Sequence, residues 1–283
     1  MVPLTRIAAA LAAGLALTAY QLPPHKDDLF AYPDVLDSSR DGDDIVVHYR
    51  KARDIMGRDA VPRRKAKARY VSRGVRWSRK RGSYRSASGK RLKMFTVGKA
   101  QQPRVSVIYL YGRGGNRRQG VNDYSFGGNF NRLQNLMAKG RGRLYTPDYS
   151  GFDAAGTQDV LGLIRQIQKR TPNTFLVVAC GSMGSIQCWR LARDAEARRA
   201  IDGMMILGGR WDEKAVGAGD FPVVFGHGSL DGTYGVDRQR AFANALRKGG
   251  RPVRFVEFRT GVHGTPIRMI DWRRELNWLL SQG

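Results

Sequence analysis

From residue 105 onward, short apolar runs alternate with longer stretches in which apolar residues recur every three or four positions. Residues 105–111 (VSVIYLY) are a continuous apolar run ending in a glycine-rich loop, and 130–138 has helical spacing. Residues 143–149 read as a strand, and 157–169 as a helix with Val160, Leu161, Leu163, Ile164 and Ile167 on one side. Residues 175–180 (FLVVAC) are apolar enough for a strand buried on both faces. A helix over 185–192 follows, then strands at 204–207, 223–225 and 253–258, with helices at 237–247 and 269–280 after the last two. Strands alternating with helices of about 10–15 residues imply βαβ units around a parallel sheet. Upstream, Val75 and Trp77 alternate with Arg76 and Ser78, and Leu92 and Met94 with Arg91 and Lys93. That period of two predicts a pair of antiparallel edge strands opening the domain, each with one buried and one charged face.

Charge divides the chain before residue 105. Seven Asp stand against Lys26 and Arg40 between residues 25 and 44, which reads as a linker or surface arm. Between residues 51 and 100, eighteen Lys or Arg face only Asp54 and Asp59, a net +16 of the chain's +25. Arg63, Arg64, Lys65 and Lys67 form one cluster, and Arg79, Lys80 and Arg81 another. Such an excess points to an anionic partner and says nothing about fold. Residues 7–20 are an uncharged, Ala- and Leu-rich run behind a short basic start. Its length suits the apolar core of an export signal, whereas a spanning helix needs about 20 residues. An uncleaved N-terminal anchor is the alternative. The expected organisation is a signal or anchor over 1–20, an acidic-then-basic arm over 21–66 and one α/β domain over 67–283. At 283 residues the chain is long enough to bury a large core. Two cysteines exclude a disulfide scaffold, and four scattered histidines leave no pattern for a metal cluster. No cofactor is expected.

The chemistry gathers where strands end. Residues 175–184 run strand, sharp turn, helix, with Ser182 at the turn in a Cys180-Gly181-Ser182-Met183-Gly184 setting. A serine placed so needs small neighbours, because the turn crowds the flanking side chains. The bland alternative is a glycine-rich turn that binds phosphate or nothing. From residue 90 to 281 the chain resembles the α/β-hydrolase family in several ordered segments. Ile108–Gly115 is similar to that family's strand and His-Gly-x loop, with Tyr111 where His is usual. Residues 146–152 (TPDYSGF) are similar to its Pro-Asp-x-Arg-Gly-x turn, with Ser150 in place of Arg. Residues 224–231 (VFGHGSLD) resemble the strand that delivers the acid, and 261–264 (GVHG) the loop that delivers the histidine. The resemblance implies an α/β-hydrolase fold: a mostly parallel central sheet with helices on both faces. It also implies a triad in the order Ser182, Asp231, His263.

The residues support these roles on their own terms. A serine hydroxyl needs an adjacent base, and histidine suits that task near neutral pH. His263 follows a strand and lies between glycines, whereas His25 and His48 lie far upstream and His227 reads as a structural part of its turn. Asp231 would orient the imidazole; Asp212 is the runner-up and Asp237 the third candidate. The oxyanion hole would take the backbone N–H of Met183 and, by resemblance, of Arg113. Arg113, Arg117 and Arg118 would frame the cleft for an anionic substrate, or be solvated loop arginines. Cys180 and Cys188 are expected as two buried thiols. The interval 208–221 leaves no room for a helical cap.

The primary reading is an exported, periplasmic or secreted, serine esterase acting on an anionic envelope component, exopolysaccharide or lipid. An amidase or peptidase with the same triad is the second reading. The third is a non-catalytic binding protein for an anionic polymer. The basic face could also meet a membrane surface, and less favourably nucleic acid.

Overall fold

The computed structural model describes residues 20–60, 64–98 and 101–283. The stretch read as an export signal lies outside the described residues except for Tyr20, as does Arg63 of the first basic cluster. In chain order the strands are β1 (Val35–Ser39), β2 (Asp44–His48), β3 (Asp59–Ala60), β4 (Lys65–Ala66), β5 (Lys80–Arg85), β6 (Arg91–Gly98), β7 (Val105–Leu110), β8 (Arg143–Pro147), β9 (Phe175–Gly181), β10 (Gly203–Leu207), β11 (Val223–Gly228) and β12 (Val253–Arg259). The α-helices are α1 (Asp27–Phe30), α2 (Asn129–Lys139), α3 (Ala154–Arg170), α4 (Gly184–Arg193), α5 (Ala195–Ala200), α6 (Val236–Lys248), α7 (Thr265–Met269) and α8 (Trp272–Leu280). Ten strands form one sheet in the order β1-β2-β12-β11-β10-β9-β7-β8-β6-β5, and β3 and β4 make a separate ribbon. From β2 to β8 in that order every pairing is parallel. Within this sheet, among the described residues, the antiparallel pairings are at the rims, where β1 joins β2, β6 joins β8 and β5 joins β6.

β7, β10 and β11 are buried along their whole length. A strand without a solvated face must be covered on both sides. In β11, Phe225 packs against Trp189 of α4 and Phe242 of α6. The next residue, Gly226, looks to the opposite face. A Cβ built there would stand 3.3 Å from Ile270 and 3.4 Å from Pro266, at the α7–α8 corner. Phe130 of α2 meets Trp272 of α8. Helices therefore cover both faces, as the βαβ pattern requires. Among the described residues only a single turn, Glu213–Ala215, interrupts the passage from β10 to β11, so no helical cap is inserted between these strands.

Three expectations are corrected. Residues 73–78 are a 3₁₀ helix rather than a strand, with Val75 buried and Trp77 88% exposed. Arg76 and Arg79 both reach Asp123, at 2.7 and 2.8 Å, and the Ser78 hydroxyl donates to the Val75 carbonyl. Those anchors hold the backbone curled where alternation suggested extension. The helix expected over 269–280 is two helices, because Ile270 is extended and the Asp271 carboxylate caps α8 by accepting from the Arg274 N–H. The stretch 21–66 is built into the domain instead of hanging from it. Leu22 is buried, its N–H donates to Asn277 of α8, and β1 and β2 extend the sheet. Its aspartates are counter-ions for distant arginines. Asp27 accepts from Arg132 and Arg273, Asp43 from Arg254, and Asp44 from Arg247. The linker reading saw the segment's own charge but not the partners that neutralise it.

The carboxyl of Glu275 is fully buried in α8. Burial, the largest cause, pushes it up to about 7, against Arg254 at 3.6 Å and the Tyr32 hydroxyl, which donates at 2.8 Å. A carboxyl raised in the folded state holds more protons folded than unfolded. Its contribution is therefore fully present below its ordinary value of 4.5 and is lost as pH rises through about 7. Glu275→Gln is expected to remove that part of the decline in unfolding free energy with rising pH, as read by denaturant titration at a series of pH values. An unchanged slope would show that Glu275 stays ionised.

Candidate active site

The turn between β9 and α4 carries Ser182 with its backbone in the left-handed region, φ 51°. Its N–H donates to the Leu207 carbonyl at 3.0 Å, and its carbonyl accepts from the Ser185 hydroxyl at 2.7 Å. That same hydroxyl accepts from the Arg210 N–H, so the turn is tied to the loop after β10. Glycines are required by contact. A Cβ on Gly184 would fall 2.5 Å from the Leu110 carbonyl oxygen, and one on Gly112 would fall 2.8 Å from the Ser182 Cβ. The first lets α4 press onto β7; the second lets the loop after β7 lie against the serine.

Asp231 occupies the turn after β11. Its N–H donates to the Gly228 carbonyl, and its Oδ1 accepts from the N–H groups of Thr233 and Tyr234 at 2.8 and 3.1 Å. Burial raises this carboxyl most. The His263 imidazole and the two N–H donors outweigh that together, and hold it below the ordinary aspartate range. His263 comes from the loop after β12, which is bound directly to the acid's turn, since Leu230 N–H donates to the Gly261 carbonyl. His263 Nδ1 lies 2.8 Å from Asp231 Oδ2, and its Nε2 lies 2.7 Å from Ser182 Oγ. An ionised carboxylate only accepts, so Nδ1 carries the proton, Nε2 is the acceptor and the Ser182 hydroxyl donates to it. The Asp231 side chain is fully buried while that of His263 is 31% exposed, so the imidazole edge meets solvent and the carboxylate does not. An imidazole held this way can take the hydroxyl proton and return it.

The structure thus brings Ser182, His263 and Asp231 together and leaves the other candidates elsewhere. Asp212 accepts from the Lys214 N–H and pairs with Arg193. Asp237 lies in the first turn of α6. His227 is buried beneath the acid's turn, its Nε2 2.7 Å from the Tyr234 carbonyl, and burial lowers its pKa. His25 is buried, and His48 sits on β2. Met183 directly follows the serine, and Arg113 follows Gly112 in the abutting loop. Arg117 is bound to Asp148 through its guanidinium and its N–H. With Arg118 it lines a hollow against β5 and β6 that contains none of the three. The cleft-framing role expected of this pair therefore finds no support in the geometry.

Two features were not anticipated. Tyr111 stacks on Tyr149 with ring centroids 4.5 Å apart, and Tyr149 donates to the Tyr111 carbonyl, bracing the loop beside Ser182. A tyrosine at the usual histidine position, with another in the 146–152 turn, was the available signal. Tyr234 stands edge-on to His263 at 5.6 Å, a neighbour that only the folded turn creates.

The fold is that of the α/β-hydrolases, in its central sheet, its two-sided helical cover and the placement of these loops. No protein-family model matches the chain, and no curated protein matches it. Among solved structures, an esterase from Pyrococcus furiosus superposes with a TM-score of 0.55 at 12% identity, covering 72% of this chain and 92% of its own. A truncated carbohydrate esterase from gut microbiota gives 0.55 at 10% identity, covering 77% and 98%. An acylaminoacyl peptidase from Pyrococcus horikoshii gives 0.55 at 13% identity, covering 71% of this chain but 41% of its own.

Cys180 and Cys188, expected as free thiols, form a disulfide. The sharp turn at Ser182 folds α4 back along β9 and brings the two Cα atoms to 6.3 Å, inside the roughly 7 Å reach of such a bond. The bond encloses the serine turn. Closing a loop this short contributes about 2–3 kcal/mol by restricting the unfolded chain. Replacing both cysteines with alanine is expected to lower the unfolding free energy by at least that amount. A reductant should weaken the parent and leave the variant unchanged. Equal sensitivity of the two would place the effect elsewhere.

Proposed function

We propose that the protein is a serine hydrolase cleaving carboxylic esters through an acyl-enzyme, on an anionic envelope component such as an exopolysaccharide or lipid. The unbroken path from Ser182 Oγ through His263 to the buried Asp231 carries this reading. In the reaction Ser182 Oγ attacks the ester carbonyl carbon while its proton passes to His263 Nε2. The carbonyl oxygen becomes an oxyanion facing the N–H groups of Met183 and Arg113. Collapse breaks the bond to the alcohol oxygen, which leaves with the proton from His263. Water, deprotonated by His263 in turn, then releases the acid and restores the serine. Asp231 keeps the proton on Nδ1 and balances the imidazolium. The esterase neighbours agree with this chemistry, and the short passage from β10 to β11 suits a bulky substrate. Exposed Arg113 at the rim favours a negatively charged one. Export to an oxidising compartment is supported by the apolar N-terminal run and by the Cys180–Cys188 bond.

Ser182→Ala is expected to abolish both hydrolysis of a short p-nitrophenyl ester and labelling by a fluorophosphonate, with the thermal midpoint nearly unchanged. Activity within tenfold of the parent would end the hydrolase reading. Asp231→Asn removes the group that sets the histidine tautomer, and should reduce kcat by up to about 10⁴-fold. Asp212→Asn loses the ion pair with Arg193, keeps an oxygen for the Lys214 N–H, and should retain most of the rate on the short ester. The reverse ranking would reassign the acid.

A further inference from the structure

A hollow of about 580 Å³ opens between α4 and the loop after β10. Trp211 lines it, and the Trp211 ring lies 6.4 Å from that of Tyr234, the tyrosine edge-on to His263. One aromatic residue therefore separates this hollow from the histidine.

Its walls carry five cations against two carboxylates. Arg193 is matched by Asp212 at 3.2 Å, and Arg238 lies over the Trp211 ring with Glu213 at 3.9 Å. Arg190, Arg210 and Lys214 also line the hollow, and among the described residues none has a carboxylate within ion-pair distance. Burial raises the Tyr234 pKa, with the Arg210 and Arg113 charges acting against it and the Asp231 charge with it, so Arg210 of the hollow is felt electrostatically at the histidine's neighbour.

We propose that this hollow is the subsite for a carboxylate-bearing sugar of an acidic glycan, whose ester on an adjoining position is presented to Ser182. The proposal rests on the hydrolase reading and names its substrate class. Arg190, Arg210 and Lys214 supply charge-assisted bonds to the sugar carboxylate. Asp212 and Glu213 can accept from ring hydroxyls, and the half-buried Trp211, whose ring Arg238 overlies, stands in the wall where it reports occupancy of the hollow. Ile186 is the single aliphatic wall, which offers little to a lipid chain.

Binding is tested apart from turnover, in full-length Ser182→Ala, with a short oligogalacturonate and tryptophan fluorescence as the readout. The oligosaccharide should quench saturably, and the affinity should fall with added salt, because Arg210 and Lys214 are exposed and Arg190 is half-buried. Trp211→Phe should remove most of the signal. The triple replacement Arg190→Gln, Arg210→Gln, Lys214→Gln should weaken binding by about tenfold or more. The charge-keeping pair Arg190→Lys, Arg210→Lys should restore most of it, which separates lost charge from lost fold. Absence of binding, equal affinity in the triple variant, or quenching by anionic phospholipid vesicles but not by the oligosaccharide would each overturn the assignment. Because the serine is absent from every protein tested, none of these outcomes depends on whether Ser182 is a nucleophile.

Discussion

A left-handed serine between a buried strand and a helix is the constraint to which the site is fitted. A non-glycine residue at φ 51° costs on the order of 1–3 kcal/mol unless its surroundings hold it there. The surroundings here do so from three directions. β10 accepts the serine's N–H through Leu207, Ser185 grips its carbonyl, and the cystine clasps the strand before it to the helix after it. The same turn points the hydroxyl over the ends of the parallel strands, where the turns after β11 and β12 are already joined by the Leu230–Gly261 hydrogen bond. Serine, histidine and acid therefore converge because three strand ends are held in register.

With 49 cationic side chains and 24 carboxylates, carboxylates are the scarce species in this molecule. Their distribution shows which parts of the fold rely on charge. Asp123 holds both Arg76 and Arg79, and Asp27 holds both Arg132 and Arg273. The buried Asp59 faces Arg268 with both oxygens. Several link segments far apart in sequence, so ion pairs act here as long-range ties. Part of the basic stretch between residues 51 and 100 is internally occupied for the same reason: Arg58 is buried, and Arg53, Arg76 and Arg79 are paired. Its outward charge is smaller than its composition suggests.

The parallel sheet and the three strand-end loops were legible because each depends on a local pattern: an apolar run, a small-residue turn, a polar residue just past a strand. The residues 175–184 and 224–231 carry such patterns in full. What escaped depends on distant partners. The 73–78 turn is set by Asp123, the helix break at Ile270 by the cap of Asp271, and the docking of residues 20–50 by arginines in α2, α6, β12 and α8. The cystine belongs to the same class, since the 6.3 Å approach exists only once α4 has folded back along β9. Arg117 and Arg118 differ for the converse reason: their place in the loop after β7 was right, but Asp148 binds the first and both line the hollow against β5 and β6.

The two rims of the large sheet end in strands that antiparallel pairings add to the parallel core. At one rim β1 is exposed along its length and carries an irregularity between Val35 and Asp37. At the other, β5 presents Lys80, Arg81 and Arg85. A wide parallel sheet ending in an apolar strand would offer an open row of backbone donors and acceptors to any neighbouring chain. Here a second molecule approaching edge-on meets, on one side, a strand of irregular register whose last three residues, Asp37 to Ser39, are polar and, on the other, a row of cations. The antiparallel margins therefore work as guards against sheet-to-sheet association, and they let a broad hydrophobic core exist in one chain without seeding fibres from its edges.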